Sequence, residues 1–306
     1  MNPLLSDTLL PNEPRIADPL QHTLTERFLL PALPGLRALL EELRARVDPV
    51  LSARVPARLG QPYPRGQGLH ITQAVHEAIR RVDAGTLPPR TADGFAALAA
   101  FHAHGGSLRH VWGALRGTHF HHAFLFGTLL VDVAADAIAG GGGKVGIVPF
   151  RQARFTPVRD HRHYALLARS AWHATVYPNH VLPTAAPYAP LIVLVPGGSV
   201  RIESDAAYMH ELALASGFTS SADALKGPAM PPALFRLIAD TLGKADIATA
   251  ADPVQGQRDG LALCARYRDG HRRAGDLGHV RALELLGKAN SLLATLQVAV
   301  SQQRAA

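Results

Sequence analysis

The chain has 306 residues, 47% of them hydrophobic and 18% charged, enough apolar mass for one elaborated domain or two closely packed ones and too little charge for a disordered chain. Its 31 basic against 24 acidic residues give a formal charge of +7, but the basic residues are scattered with few aromatics among them. That pattern describes solvated helix faces and argues against nucleic acid as a partner. A single cysteine excludes a disulfide framework and fits a reducing, cytoplasmic setting, and there is neither a signal-peptide core nor a run near the ~20 apolar residues of a membrane span.

Residues 1 to 34 hold Pro3, Pro11, Pro14, Pro19, Pro31 and Pro34 and read as an extended leader, with room for a short helix around Leu20 to Leu30. From Gly35 to Val47, Leu36, Leu39, Leu40, Leu43 and Val47 recur at helical spacing. Arg37, Glu41, Glu42, Arg44 and Arg46 are assigned to the solvent side of that helix. Asp48 to Pro64 reads as a proline-punctuated connector. A helix over Thr72 to Val82 follows the segment Tyr63-Pro64-Arg65-Gly66-Gln67-Gly68-Leu69-His70-Ile71 and ends before Pro88-Pro89, and another covers Asp93 to His104.

Gly105-Gly106 opens three consecutive strands: Leu108 to Leu115, His119 to Phe126 and Thr128 to Ala134. Alternation puts Phe120, His122, Phe124 and Phe126 on one face of the second strand and His119, His121, Ala123 and Leu125 on the other. A hairpin centred on Gly127 pairs residues whose numbers sum to 254, which sets His122 opposite Asp132. A carboxylate holding an imidazole on a neighbouring strand is the orienting half of a nucleophilic triad. A glycine-led strand, a strand bearing His-Ala, a Gly turn and a strand bearing Val-Asp resemble the core of transglutaminase-like proteins of the papain-like class, over roughly residues 60 to 138. The resemblance implies a catalytic cysteine opening the upstream helix in a Gly-x-Cys setting. Gly68 occupies that position here, so the resemblance implies a triad base at His122 and its orienter at Asp132 with no nucleophile.

Beyond the strands, Gly140 to Gly143 reads as a surface loop rather than a phosphate cradle, because Lys144 leads into a strand, Val145 to Pro149, and not a helix. Asp160 caps a helix over His161 to Thr175. The proline-rich stretch after Tyr177, containing His180, reads as a long loop of the length that often serves binding. Leu191 to Val195 and Val200 to Glu203 form a hairpin across Gly197-Gly198. Helices follow over Ala206 to Ser216, Pro232 to Leu242, around Leu261 to Tyr267, and Leu277 to about Gln303. The last is assigned a buried stripe of Val280, Leu283, Leu286, Leu293, Leu296 and Val300.

Sixteen histidines are present, and His119 and His121 share a strand face, a spacing from which both can reach one zinc or iron ion, with a third ligand from His161, His163 or His180. The expectation is an α+β fold: a small antiparallel sheet of transglutaminase-like type packed by helices, with an added β-hairpin and a helical C-terminal half. Its parts are a leader (1–34), the core (35–150) and a hairpin with helices (151–306). The expected function is a cysteine-less, non-catalytic or repurposed transglutaminase-like protein without a cofactor. It binds a peptide or small molecule between the Gly68 helix and the His122 strand, with Trp112 and His180 as further candidate contacts. The alternative is a metalloenzyme built on His119 and His121.

Overall fold

The structure, a computed structural model, describes residues 9–54, 62–138, 142–198, 200–203, 207–271 and 275–296. The fold is α+β, and the chain divides into two compact units, one spanning Asn12–Pro157 and the other Val158–Ala306 with the first eleven residues. The division falls a few residues beyond the boundary expected from sequence.

In the Asn12–Pro157 unit the leader residues from Asn12 onward are packed. They contribute α1 (Leu20–Leu24), which runs into a π-helical turn over Thr25–Leu29. Gln21 accepts from Ser107 N at 2.7 Å and donates to Gly105 O at 3.1 Å, while Thr25 Oγ1 accepts from Thr128 N at 3.0 Å. These bonds satisfy backbone groups where the first strand begins and at the adjacent Gly127-Thr128 turn, at one end of the sheet. Three helices follow: α2 (Leu33–Arg54), α3 (Gly68–Arg80) and α4 (Pro89–Ala103). α2 continues past Asp48, where a connector was expected, and carries Pro49 in its interior. Two glycines let α2 and α4 cross backbone to backbone: a Cβ on Gly94 would lie 2.2 Å from Gly35 O, and one on Gly35 2.9 Å from Gly94 N.

The sheet of this unit consists of β1 (Leu108–Leu115), β2 (His119–Phe126), β3 (Leu129–Asp132), β4 (Gly146–Pro149) and β5 (Phe155–Thr156), in the order β4-β3-β2-β1-β5. Every pairing is antiparallel. One face, carrying Phe124, Phe126, Leu129, Val131 and Val133, shares a core with Leu36, Leu40, Ile71 and Phe101 of the helices. The other gathers Val111, Leu115, Ala123, Leu125, Leu130 and Phe155.

The register corrects the sequence reading by one residue. Phe126 pairs with Leu129 and Phe124 with Val131, so paired numbers sum to 255 and the loop has two residues, Gly127 and Thr128. Gly127 has φ +57, the positive value that a two-residue hairpin turn takes at its first central position. A slip of one would carry Val131 and Val133, both 0% exposed, to the opposite face, so burial of that stripe fixes the pairing.

The Val158–Ala306 unit begins with α5 (His161–Trp172), capped by Asp160, whose Oδ1 accepts from His163 N at 2.7 Å. A three-stranded antiparallel sheet follows, β6 (Thr175–Pro178), β7 (Leu191–Leu194) and β8 (Val200–Ile202), in that order. Helices α6 (Ala207–Ala215), α7 (Thr219–Leu225), α8 (Pro232–Gly243), α9 (Pro253–Asp269) and α10 (Leu277–Leu293) complete it. The stretch between β6 and β7, expected as a binding loop, is core: Val181, Leu182, Ala185, Ala186, Tyr188 and Ala189 are fully buried. In α10 the buried stripe is His279, Ala282, Leu286, Ala289 and Leu293, whereas Val280 and Leu283 are exposed. Gly140 and Gly141 of the expected glycine loop, Ser199 of the hairpin, and Val300 with the end of the last helix lie outside the described residues.

Candidate functional site

The one-residue register change decides which histidine meets the acid. On β2, His121 lies on the face that β3 presents with Asp132, and His122 lies on the opposite face. His121 Nε2 is 2.9 Å from Asp132 Oδ1, with the imidazole 2% and the carboxylate 13% exposed. The oxygen stands off the line of the ring N–H, so the contact is a short ion-pair-range approach and not a linear hydrogen bond. The same Oδ1 accepts from Ala134 N at 2.9 Å, which orients the carboxylate.

The other edge of that imidazole faces the start of α3. A Cβ on Gly68 would sit 3.8 Å from both His121 Nδ1 and Cε1 and 4.0 Å from the Ala134 methyl, all ordinary contacts. Gly68 is not among the glycines with positive φ, so neither strain nor a close backbone approach requires glycine there. No side chain caps the first turn of α3, so the positive end of the helix dipole lies at this position. Thr72 Oγ1 donates to Gly68 O at 2.7 Å and approaches His122 O at 3.4 Å, tying the first turn of α3 to β2.

A residue that the sequence reading placed in solvent holds this junction together. Arg44 is fully buried. Its Nη1 donates to Val133 O, the residue after Asp132, and to Asp136 Oδ1 at 3.1 Å, while Nη2 reaches Asp136 Oδ2 at 3.2 Å and Nε reaches Asp48 Oδ1 at 2.9 Å. Burial alone would lower its pKa, but the hydrogen bonds of Asp136 and Asp48 outweigh burial and raise it. Asp48 also accepts from Tyr63 Oη at 2.5 Å and from Lys144 Nζ at 2.5 Å. Burial would raise the Asp48 carboxyl, and the bonds from Lys144, Tyr63 and Arg44 hold it below its usual range. Tyr63 opens the segment that leads to Gly68, and Gly66 N donates to Ala137 O at 3.0 Å. The network therefore spans from the approach to Gly68 to the segment following Asp132, the two sides between which His121 sits.

His122 belongs to a separate cluster on the helix-facing side of the sheet. His110 Nε2 is 3.1 Å from His122 Nδ1, and burial, assisted by His76, pushes the His110 pKa down to about 4. Trp112 is buried on that same face and stacks on Phe120 with ring centroids 5.4 Å apart, so it does not share the His121 side. His180 lies in the other unit, buried, with Nε2 2.8 Å from Leu225 O. That contact ties the segment after β6 to the end of α7. His119 and His121 do share a face of β2, but His119 Nδ1 is 2.8 Å from Thr118 Oγ1 and His121 is turned to Asp132. Among the described residues no group of three or more His, Cys, Asp or Glu side chains is placed to hold a metal ion.

The arrangement offers an imidazole whose Nδ1–Cε1 edge lies 3.8 Å from the point, at a helix N-terminus, where a first side-chain atom of residue 68 would stand and none is present. It can accept a proton or hydrogen bond from an atom occupying that space. Cys264 cannot supply a nucleophile in its present setting: it is fully buried in α9 of the other unit, and burial pushes its thiol up to about 12. No helix among the described residues is long and apolar enough to cross a membrane. No family model, curated protein or solved structure matches the chain.

Proposed function

We propose that this protein is a cysteine-less transglutaminase-like protein that binds a peptide or small molecule at the junction of the Gly68 end of α3 and the His121 strand, without thiol catalysis. The observation that carries the reading is the position of His121. It has Asp132 at 2.9 Å on one side and, 3.8 Å away on the other, the point where a first side-chain atom of residue 68 would stand. Base, orienter and helix N-terminus are the three parts that an activated-cysteine site requires. With glycine in the nucleophile position, the same parts become a polar niche in which Nδ1 of His121 is the acceptor for a ligand N–H or O–H.

The test fills the niche. A panel of N-acetyl dipeptide amides is screened by ligand-observed NMR against the wild type and Gly68→Phe, with a melting curve for each protein. The reading expects saturable binding of at least one probe, lost in Gly68→Phe while the melting temperature is kept. Binding that survives the substitution, or a panel that the wild type ignores, would count against it.

A further inference from the structure

The Val158–Ala306 unit contains a cavity of about 410 Å³, within the size range of small-molecule sites. One wall is a single face of α5: Arg162, Ala165, Leu166 and Arg169, at i, i+3, i+4 and i+7. The wall thus has an apolar middle and a guanidinium at each end, with about 10 Å of helix rise between the two arginines. Leu166 is 60% exposed, an apolar side chain left open at the centre of the cavity wall. Across from it stand Tyr177 and Pro178 of β6, the edge strand of its sheet.

Both guanidinium groups are pinned. Arg162 Nη2 donates to Asp223 O at 3.1 Å and Arg169 Nη2 to Val176 O at 3.3 Å. Each bond uses a single N–H of the five that a guanidinium carries, so the planar group is held in place with donors to spare. Neither arginine forms an ion pair among the described residues, while the one carboxylate on the cavity, Asp223, is bound to Lys226 at 2.8 Å. The lining therefore carries three cationic side chains, Arg162, Arg169 and Lys226, against the single carboxylate of Asp223, which is shared between Lys226 and Arg162; the excess is positive, with Arg169 far from that carboxylate at the other end of the apolar strip.

We propose that this cavity binds an elongated organic dianion, with a carboxylate or phosphate near each end and an apolar middle that lies along Leu166. The Arg162 and Arg169 forks each take one oxyanion, the geometry in which arginine exceeds lysine. This site is independent of the Gly68 junction and of the function proposed for it.

The experiment is isothermal titration of the full chain with octanedioate and with hexane-1,6-diol bisphosphate, against octanoate and octane-1,8-diol as probes with one charge and none. The expected order is dianion, then monoanion, then diol, with one site per chain, and the better of the two dianions identifies the anionic group. Arg162→Gln and Arg169→Gln should each weaken the dianion about tenfold, the equivalent of ~1.4 kcal/mol, and bring it close to the monoanion, whereas Arg236→Gln, an exposed position on α8, should leave it unchanged. Equal binding of the diol, indifference to both cavity substitutions, an equal loss in Arg236→Gln, or no saturable binding of either dianion would overturn the proposal.

Discussion

Gly68→Cys is the most searching test of the His121 junction. The new Cβ meets nothing closer than 3.8 Å, its nearest contacts being His121 Nδ1 and Cε1, and the test requires the staggered rotamer that carries the sulfur to the imidazole. The fold should therefore accept the substitution, with a melting temperature at or slightly above that of wild type, since replacing a helix glycine without strain is worth about 0.5 to 1 kcal/mol. A thiol at a helix N-terminus beside an imidazole falls from about 8.5 into the range of roughly 3.5 to 7.5. If it falls to about 6.5, the thiolate fraction at pH 5 rises about 100-fold, but each thiolate loses about tenfold in intrinsic nucleophilicity at a Brønsted slope near 0.5. The net gain in alkylation rate is then only about tenfold, so the informative quantity is the inflection of the rate against pH. It should lie below about 7.5 and move back up when Asp132→Asn removes the charge that orients His121. An inflection near 8.5 in a fully folded protein would refute the reasoning, and residue 68 would be an ordinary helix end with a histidine nearby.

Three further outcomes follow from burial and charge. Arg44→Met should destabilise the protein by roughly 3 to 5 kcal/mol in denaturant melts, because it strands Asp136 and the Val133 carbonyl, while Asp48 keeps Tyr63 and Lys144; a loss below about 1 kcal/mol would mean that the network is not a structural tie. His161 and His210 are buried, and burial, assisted by a neighbouring histidine in each case, depresses their pKa values to about 3 and about 4. The unfolded chain, titrating near 6.5, binds more protons than the folded one in the window below that value. Stability is then present above pH 6.5 and lost as pH falls toward 4, by about 2 kcal/mol per histidine between pH 7 and pH 5. Denaturant midpoints that do not change over that interval would contradict this, and His161→Phe should reduce the pH-dependent loss by about 2 kcal/mol, its own share. Finally, Cys264 should resist iodoacetamide in the native protein at pH 7 and react only in denaturant; rapid native labelling would show the thiol to be less enclosed than its burial in α9 indicates.

The strands and most helices were legible because glycines punctuate a clear change from period 3.6 to period 2. The register was not, since it depends on whether the Gly127 turn uses one residue or two, and the adjacent imidazoles of His121 and His122 make either pairing look sensible. The stripe Leu129, Val131 and Val133 was the better guide, because three buried aliphatic residues outweigh one polar contact. Arg44 was misassigned because a charge beside a leucine stripe ordinarily points to solvent. Its position four residues beyond Leu40 and four before Asp48 was the available signal, and its other partner, Asp136, is 92 positions away, beyond the reach of any local pattern. The stretch between β6 and β7 was misread because prolines suggest an exposed loop; its run of Val, Leu and Ala residues was the sign that it is buried.

The crossing of α2 and α4 has an evolutionary corollary. Because Gly94 faces Gly35 O at a separation that no β-carbon tolerates, the two positions are coupled: a side chain at either one forces the helices apart and displaces the floor beneath β2 and β3. A lineage can exchange leucines elsewhere in that core for isoleucine or methionine at little penalty, and it can lose the histidine and aspartate with their function, but while this packing survives both glycines must survive with it. Distant kin of this chain are therefore better recognised by the paired glycines, at the start of one long helix and inside the next but one, than by the polar residues that first draw the eye.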